Sequence, residues 1–136
     1  MHKTLFLKDL KTSEVSNFLN SAIAPRPICF ASTVDASGNV NLSPFSYFNV
    51  FSANPPVIIF SPARRVRDNT TKHTLQNILE VPEVVVNIVS YDMVQRVSLS
   101  SCEYPKGTDE FIKSGFTKEP SQLINPKKFK NNPVQM

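Results

Sequence analysis

The stretch Asn41-Leu-Ser-Pro-Phe-Ser-Tyr-Phe-Asn49, running directly into Val50-Phe-Ser-Ala-Asn-Pro-Pro-Val-Ile-Ile-Phe-Ser61, governs how the rest of this chain is read. It mixes amide, hydroxyl and aromatic side chains where a plain buried strand would be uniformly apolar. Side chains alternate in extended backbone, which predicts Phe45, Tyr47 and Asn49 on one face and Pro44, Ser46 and Phe48 on the other. Either face would set a ring surface beside a hydrogen-bonding group, as a flat heteroaromatic ligand with a polar rim requires. An ordinary aromatic-rich strand ahead of a Pro-Pro turn accounts for the same residues, so composition alone leaves both readings open.

Working outward, Ile28–Val34 is strand-like by its β-branched and aromatic content, and Asp35-Ala-Ser-Gly-Asn39 supplies turn chemistry to a second strand from Val40. A strand starting near Phe45 is expected to reach the turn Ala53-Asn-Pro-Pro56, with Val57–Ser61 as a short buried strand after it. Upstream, Thr12 to Ala22 reads as a helix capped by Ser13, with Val15, Phe18 and Leu19 as a buried stripe, stopped by Pro25-Arg-Pro27. Downstream, Asn69–Thr74 opens a helix with Leu75, Ile78 and Leu79 on one side, ending before Pro82. Glu83–Val89 is the strongest strand, apolar apart from Asn87; a backbone partner across the sheet is the ordinary fate of such a buried amide, and a ligand contact the alternative. A helix from Ser90 carries Met93, Val94 and Val97, and Asp109 to Ser114 forms a helical turn closed by Gly115. Asn132–Met136 reads as the first residues of a strand, which would leave an open edge.

A length of 136 residues fits a single domain with one core. Ten Phe, no Trp, and eleven Pro against three Gly describe a folded chain whose loops are stiffened by proline, not a disordered one. The net charge of +4 gathers in Arg64-Arg65-Val-Arg67 and Lys127-Lys128-Phe-Lys130, and favours anionic partners. No motif of a nucleic-acid reader accompanies it. Cys29 and Cys102 are far apart in sequence and read as reduced structural thiols, and two histidines are too few for an imidazole metal site. No apolar run long enough to span a membrane is present, so a cytoplasmic protein is expected.

Ser61-Pro-Ala-Arg-Arg-Val-Arg67 followed by Thr70-Thr-Lys-His-Thr74 gathers cations and hydroxyls at a helix start, where unpaired N–H groups favour an anion. Together they suit a phosphate monoester; a capped helix after a solvated basic loop is the plainer reading, with Thr70 or Thr71 as the cap. The glycines at 38, 107 and 115 build no phosphate loop, and His73 is the one imidazole available to activate a nucleophile. Asp35, Asp109 and Glu110 read as surface or capping carboxylates, so no catalytic acid, base or metal ligand is assigned.

With these pieces in order the chain resembles the flavin reductase-like family of the FMN-binding split barrel, the group of flavoredoxins and the reductase components of two-component monooxygenases. The resemblance rests on Pro25-Arg-Pro27, Ala31-Ser-Thr-Val34, Gly38, Asn41–Asn49, Asn54-Pro-Pro56, Lys72-His-Thr-Leu75 with Asn77, and Val85-Val-Asn-Ile88. It implies a mainly β fold with flanking helices, a Greek-key split barrel, as one domain over 1–136: helix about 12–22, barrel core about 27–115, tail 116–136. It implies FMN, or FAD, in a cleft near the boundary of a homodimer, NAD(P)H as electron donor, and a monooxygenase or other acceptor protein as partner. By that resemblance Ser43, Ser46, Tyr47, Phe48 and Asn49 contact the ring, while Phe60, Ser61, Arg64, Lys72 and Thr74 approach the ribityl phosphate. His73 replaces the Asp of the family's Lys-Asp-Thr element. In relatives the equivalent of Pro133–Met136 leads into further barrel strands, so the likeness covers the front part of the domain. It therefore implies a flavin reductase, with a flavin-binding electron carrier lacking a nicotinamide site and a non-catalytic fragment as alternatives.

Overall fold

The computed structural model of the chain describes residue 2 and residues 4–136; Met1 and Lys3 of the N-terminal stretch lie outside the described residues. In chain order the elements are α1 (Thr12–Ala22), β1 (Cys29–Val34), β2 (Val40–Phe45), β3 (Phe48–Ala53), β4 (Pro56–Phe60), α2 (His73–Glu80), β5 (Val85–Ile88), α3 (Val94–Ser100), α4 (Glu110–Lys113), β6 (Lys118–Glu119) and β7 (Lys128–Phe129). The main sheet is antiparallel with order β2-β1-β5; β3-β4 and β6-β7 form two-stranded sheets, and the described strands do not close into one barrel.

The hairpin expected around Asp35–Asn39 is present, with Cys29 opposite Phe45 and Val34 opposite Val40. Asp35 closes the turn: Oδ1 accepts from the Ser37 and Asn39 N–H groups at 3.0 and 2.9 Å, and Oδ2 from the Asn39 amide at 3.0 Å. Gly38, at φ +86°, takes the left-handed backbone that the turn needs.

All six residues of β1 are buried, because alternation sends Phe30 to one core and Cys29 with Ala31 to another. Phe30 packs with Leu42, Met93, Phe111, Phe116 and Phe129, while Cys29 and Ala31 pack with Phe45 and Val86. The rings of Phe116 and Phe129 lie 5.3 and 5.8 Å from that of Phe30, so residues past 115, expected as a tail, build part of the main core. Asn87 is fully buried; its Nδ2 donates to Phe30 O at 3.0 Å and its Oδ1 accepts from Asn132 Nδ2 at 3.1 Å, the ordinary backbone partnership. The incipient strand at the C-terminus pairs with β5, Val86 and Met136 exchanging N–H···O bonds of 2.8 and 3.0 Å.

Four expectations change. The strand through Ser46 and Tyr47 is broken: β2 ends at Phe45, the chain bends, and β3 starts a different sheet at Phe48. The bend resets the alternation, so Phe45 and Phe48 pack into the same core cluster instead of on opposite faces. On α1, Lys11 takes the cap position expected for Ser13, its N–H donating to Glu14 Oε2 at 2.9 Å, and Phe18 and Leu19 stay exposed because no layer covers that face. On α2 the buried side chains are Thr74 and Asn77, and Leu79 is exposed. Polar pairing across to the sheet causes this, as Asn41 Nδ2 donates to Thr74 Oγ1 at 2.9 Å and Asn77 Nδ2 to Thr33 Oγ1 at 3.2 Å. Finally, Glu110 is buried rather than a surface group and accepts the Leu42 N–H of edge strand β2 at 3.2 Å; Asp109 is the capping carboxylate.

Cys29 is a buried free thiol whose pKa burial pushes up to about 12, as a structural thiol should be, whereas Cys102 is exposed. No helix among the described residues is long and apolar enough to cross a membrane.

Candidate functional site

Three adjoining cavities surround the corner where the chain leaves β2 for β3. The smallest, about 130 Å³, is lined by Asn41, Ser43, Lys72, Thr74, Glu110 and the Ser101–Tyr104 loop, among others. The second, about 360 Å³, shares Pro44, Arg65, Lys72 and Glu103 with the first and adds Ser46, Tyr47, Ser61, Arg64 and Arg67. A third, about 390 Å³, shares Ser46, Tyr47 and Ser61 with the second, and its other walls include Leu19, Ile23, Phe48, Phe51 and Ile59. The series therefore runs from cationic to apolar across a hydroxyl-bearing divide.

Pro25-Arg-Pro27 sets that divide. After α1 ends, Arg26 turns back so that Nη1 donates to the carbonyls of Asn20 and Ile23, satisfying the helix terminus. Its Nε donates to Ser46 Oγ at 3.2 Å, and the Tyr47 hydroxyl donates to Asn20 Oδ1 at 3.2 Å. Both corner residues are thus tied to the end of α1.

The cationic end is built by a loop that bonds to itself. Arg64 Nη1 donates to Asn69 O at 2.7 Å, and Arg65 Nη1 donates to Thr70 Oγ1 at 3.1 Å and to Thr71 O. Asp68 accepts from the Thr70 hydroxyl at 2.6 Å and N–H at 3.0 Å and pairs with Arg67; these bonds, the hydroxyl first, hold its carboxyl well below the usual range. Neither Thr70 nor Thr71 caps α2; Lys72 occupies the cap position, and the Thr71 hydroxyl accepts from Gln76 Nε2 at 3.0 Å.

Lys72 stands between the two cationic cavities with Nζ 4.9 Å from the centroid of the Phe45 ring. Among the described residues its ammonium has no carboxylate within ion-pair distance. Burial first, then the neighbouring Arg65, lowers its pKa, with Glu103 opposing. Burial, followed by Arg65 and Lys106, lowers that of His73 too. Thr74 is 1% exposed, and since its oxygen accepts from Asn41 its hydroxyl proton remains to be donated.

Of the ten residues selected from sequence, Ser43, Lys72 and Thr74 meet in the first cavity, and Ser46, Tyr47, Ser61, Arg64 and Lys72 in the second. Phe48 and Asn49 lie on the apolar third, and Asn49 Oδ1 accepts from the Val50 N–H at 2.8 Å. Phe60 lines none of the three; its ring packs 5.4 Å from that of Phe45 in the core. Sequence reasoning missed Arg26, Glu103, Tyr104 and Glu110 as wall or support residues. Arg26 was signalled by its place between two prolines after a helix; the other three are brought in by chain folding from more than 25 residues beyond Lys72.

Fold and site together define a split-barrel domain with a cleft that is cationic at one end and apolar at the other. The chain belongs to the flavin reductase-like family: the flavin reductase like domain matches residues 21–134. It is 38% identical over 112 residues to an uncharacterized protein of Aquifex aeolicus, covering 82% of this chain and 57% of that protein. Among solved structures it is similar to nitrilotriacetate monooxygenase component B from Bacillus cereus, with TM-score 0.92 and 27% identity over 100% of this chain and 66% of that one. It is also similar to the 2-nitrobenzoate 2-nitroreductase of Pseudomonas fluorescens, with TM-score 0.80 and 25% identity over 98% and 62% of the two chains. The chain thus spans little more than half the length of its Aquifex relative.

Proposed function

We propose that this domain binds FMN and acts as a flavin reductase, with NAD(P)H as hydride donor and a monooxygenase or other acceptor protein downstream. The observation that carries the reading is the junction of cationic and apolar cavities through Ser46, Tyr47 and Ser61, which suits a ligand with a flat apolar body and an anionic tail. The donor set fits the phosphate: an ammonium with no carboxylate partner among the described residues, two guanidinium groups fixed by backbone carbonyls, and a threonine hydroxyl with a free proton. FAD, whose second phosphate and adenosine would have to leave the cleft, belongs in the same titrations as the comparison ligand.

Bound flavin supplies the two-electron redox chemistry. This chain's residues then have distinct tasks. Lys72, Arg64, Arg65 and Thr74 hold the phosphate, joined by Ser43, which lines the Lys72–Thr74 cavity and so moves from the ring-contact set to the phosphate end; Ser46 and Ser61 hydrogen-bond the polar part of the ligand, and Tyr47 and Phe48 exclude water from the ring. Asn49 sits at the far rim of the apolar cavity, and Phe60 acts through the core by supporting Phe45 beneath Lys72. No side chain need move a proton, consistent with the absence of any acid/base pair in the sequence reading.

The apolar surface formed by Phe18, Leu19, Ile23, Val50, Phe51 and Ile59 supports a homodimer in which a second copy covers the third cavity. A cytoplasmic location, where NAD(P)H is available, completes the proposal. Anaerobic mixing of the FMN-loaded domain with NADH and NADPH tests the reductase assignment: prompt bleaching of the flavin by either supports it. Bleaching only by a reduced partner protein would leave an electron carrier instead.

A further inference from the structure

Glu103, in the loop after α3, is the one carboxylate lining the larger cationic cavity, where it faces Arg64, Arg65, Arg67 and Lys72. Its Oε2 lies 2.8 Å from Arg67 Nη1 and its Oε1 3.7 Å from Arg65 Nε. It also lines the smaller cavity, whose other carboxylate, Glu110, is already engaged by the Leu42 N–H. The two arginines do not depend on Glu103 for their position. Arg65 is anchored through Nη1 to Thr70 Oγ1 and Thr71 O, and Arg67 through Nη2 to Asp68 at 2.9 Å. Glu103 therefore occupies the guanidinium edges that the loop leaves facing the cleft.

We infer that Glu103 is a built-in competitor for the ligand's phosphate, masking Arg65 and Arg67 until a phosphate monoester displaces it. The inference rests on the reading of the cleft as a phosphate-bearing cofactor site. Carboxylate and phosphate accept from the same guanidinium N–H edge, so the two cannot both hold it. A phosphate monoester carries about −1.5 to −2 charge at pH 7 against the single charge of a carboxylate, which lets it win the exchange. Weaker anions win it less easily. Glu103 thereby lowers affinity in general while selecting for a doubly charged terminus, and an uncharged ligand such as riboflavin leaves the clamp closed.

Glu103 and Arg67 are exposed, and the more buried Arg65 keeps its bonds to Thr70 and Thr71 without Glu103, so removing the carboxylate perturbs the fold little. The test compares wild type with Glu103→Gln, Glu103→Ala and Glu103→Asp, titrating FMN and riboflavin by fluorescence and inorganic phosphate by calorimetry. Glu103→Gln and Glu103→Ala should bind FMN and phosphate about 3- to 10-fold tighter, with a higher association rate and a steeper salt dependence, and riboflavin within about twofold of wild type. Glu103→Asp, which keeps the charge, should stay near wild type. Unchanged or weaker FMN binding in both neutral variants, or an equal gain for riboflavin, overturns the inference. If FMN binds none of the proteins but phosphate still binds the neutral variants more tightly, the flavin reading falls while the masking role stands. If neither ligand binds any of them, both fall.

Discussion

Replacing Lys72 by alanine removes the one cation that faces both cationic cavities and has no carboxylate partner among the described residues. A charge-assisted contact to phosphate contributes about 1.5–3 kcal/mol, which corresponds to roughly a 10- to 100-fold loss of FMN affinity. The upper part of that range applies here, because the ammonium is half-buried against Phe45 and no other lysine lines either cavity. Riboflavin, which lacks the phosphate, should lose far less. The lowered pKa of Lys72 adds a pH signature. Below that value the ammonium is fully charged and FMN affinity is flat; as pH rises through it the charge is lost and affinity falls, on the acid side of an ordinary lysine's 10.5. The variant should lack this alkaline decline. Flavin fluorescence quenching, titrated from neutral to alkaline pH with both ligands, reads all of these effects. Equal losses for FMN and riboflavin, or an unchanged alkaline decline in the variant, would show that Lys72 does not meet the phosphate.

Asn87→Ala should destabilise the domain by about 2–4 kcal/mol in denaturant unfolding, because it empties a fully buried position and removes the amide's bonds to the Phe30 carbonyl and from Asn132 Nδ2; a loss under 1 kcal/mol would refute the tie it makes between β1 and the C-terminal segment. Burial raises the pKa of Glu110 above its ordinary 4.5, so its contribution to stability is fullest below that value and fades as pH rises through the raised one. Glu110→Gln should flatten that segment of the stability–pH curve, and an unchanged slope would place the titration elsewhere. Phe51, 65% exposed, lines the apolar cavity, so Phe51→Lys should convert a dimer to monomer in sedimentation velocity; a wild type that stays monomeric at high concentration would remove the proposed second copy.

Local chemistry made much of the fold legible. The β1–β2 hairpin follows from β-branched residues on either side of an Asp-Ala-Ser-Gly-Asn turn, and α4 from Asp109 and Gly115 at its two ends. The same local rules failed where tertiary pairing overrode them. Two residues, Ser46 and Tyr47, carry the chain from one sheet to another, and nothing in an alternating pattern signals a change of sheet. On α2 the helical period was right, but it does not say which side chains are fully buried: Thr74 and Asn77 found amide and hydroxyl partners on the strands, while Leu79 stays exposed. At the site, the basic loop and Lys72 were visible as charge next to hydroxyls. Glu103 was not, since its meaning lies in its 2.8 Å approach to Arg67 from 36 residues further along the chain. Phe60 shows the opposite error: its neighbours in sequence face the cleft, while its own ring belongs to the core.

Every functional assignment above depends on the cleft between Lys72 and Phe48 holding a flavin. The most direct measurement is the visible absorption spectrum of the purified protein after incubation with excess FMN and exhaustive dialysis. Retained flavin bands near one FMN per chain, shifted from those of the free dye, are the predicted result. A colourless protein, with the fold intact by circular dichroism, would contradict it.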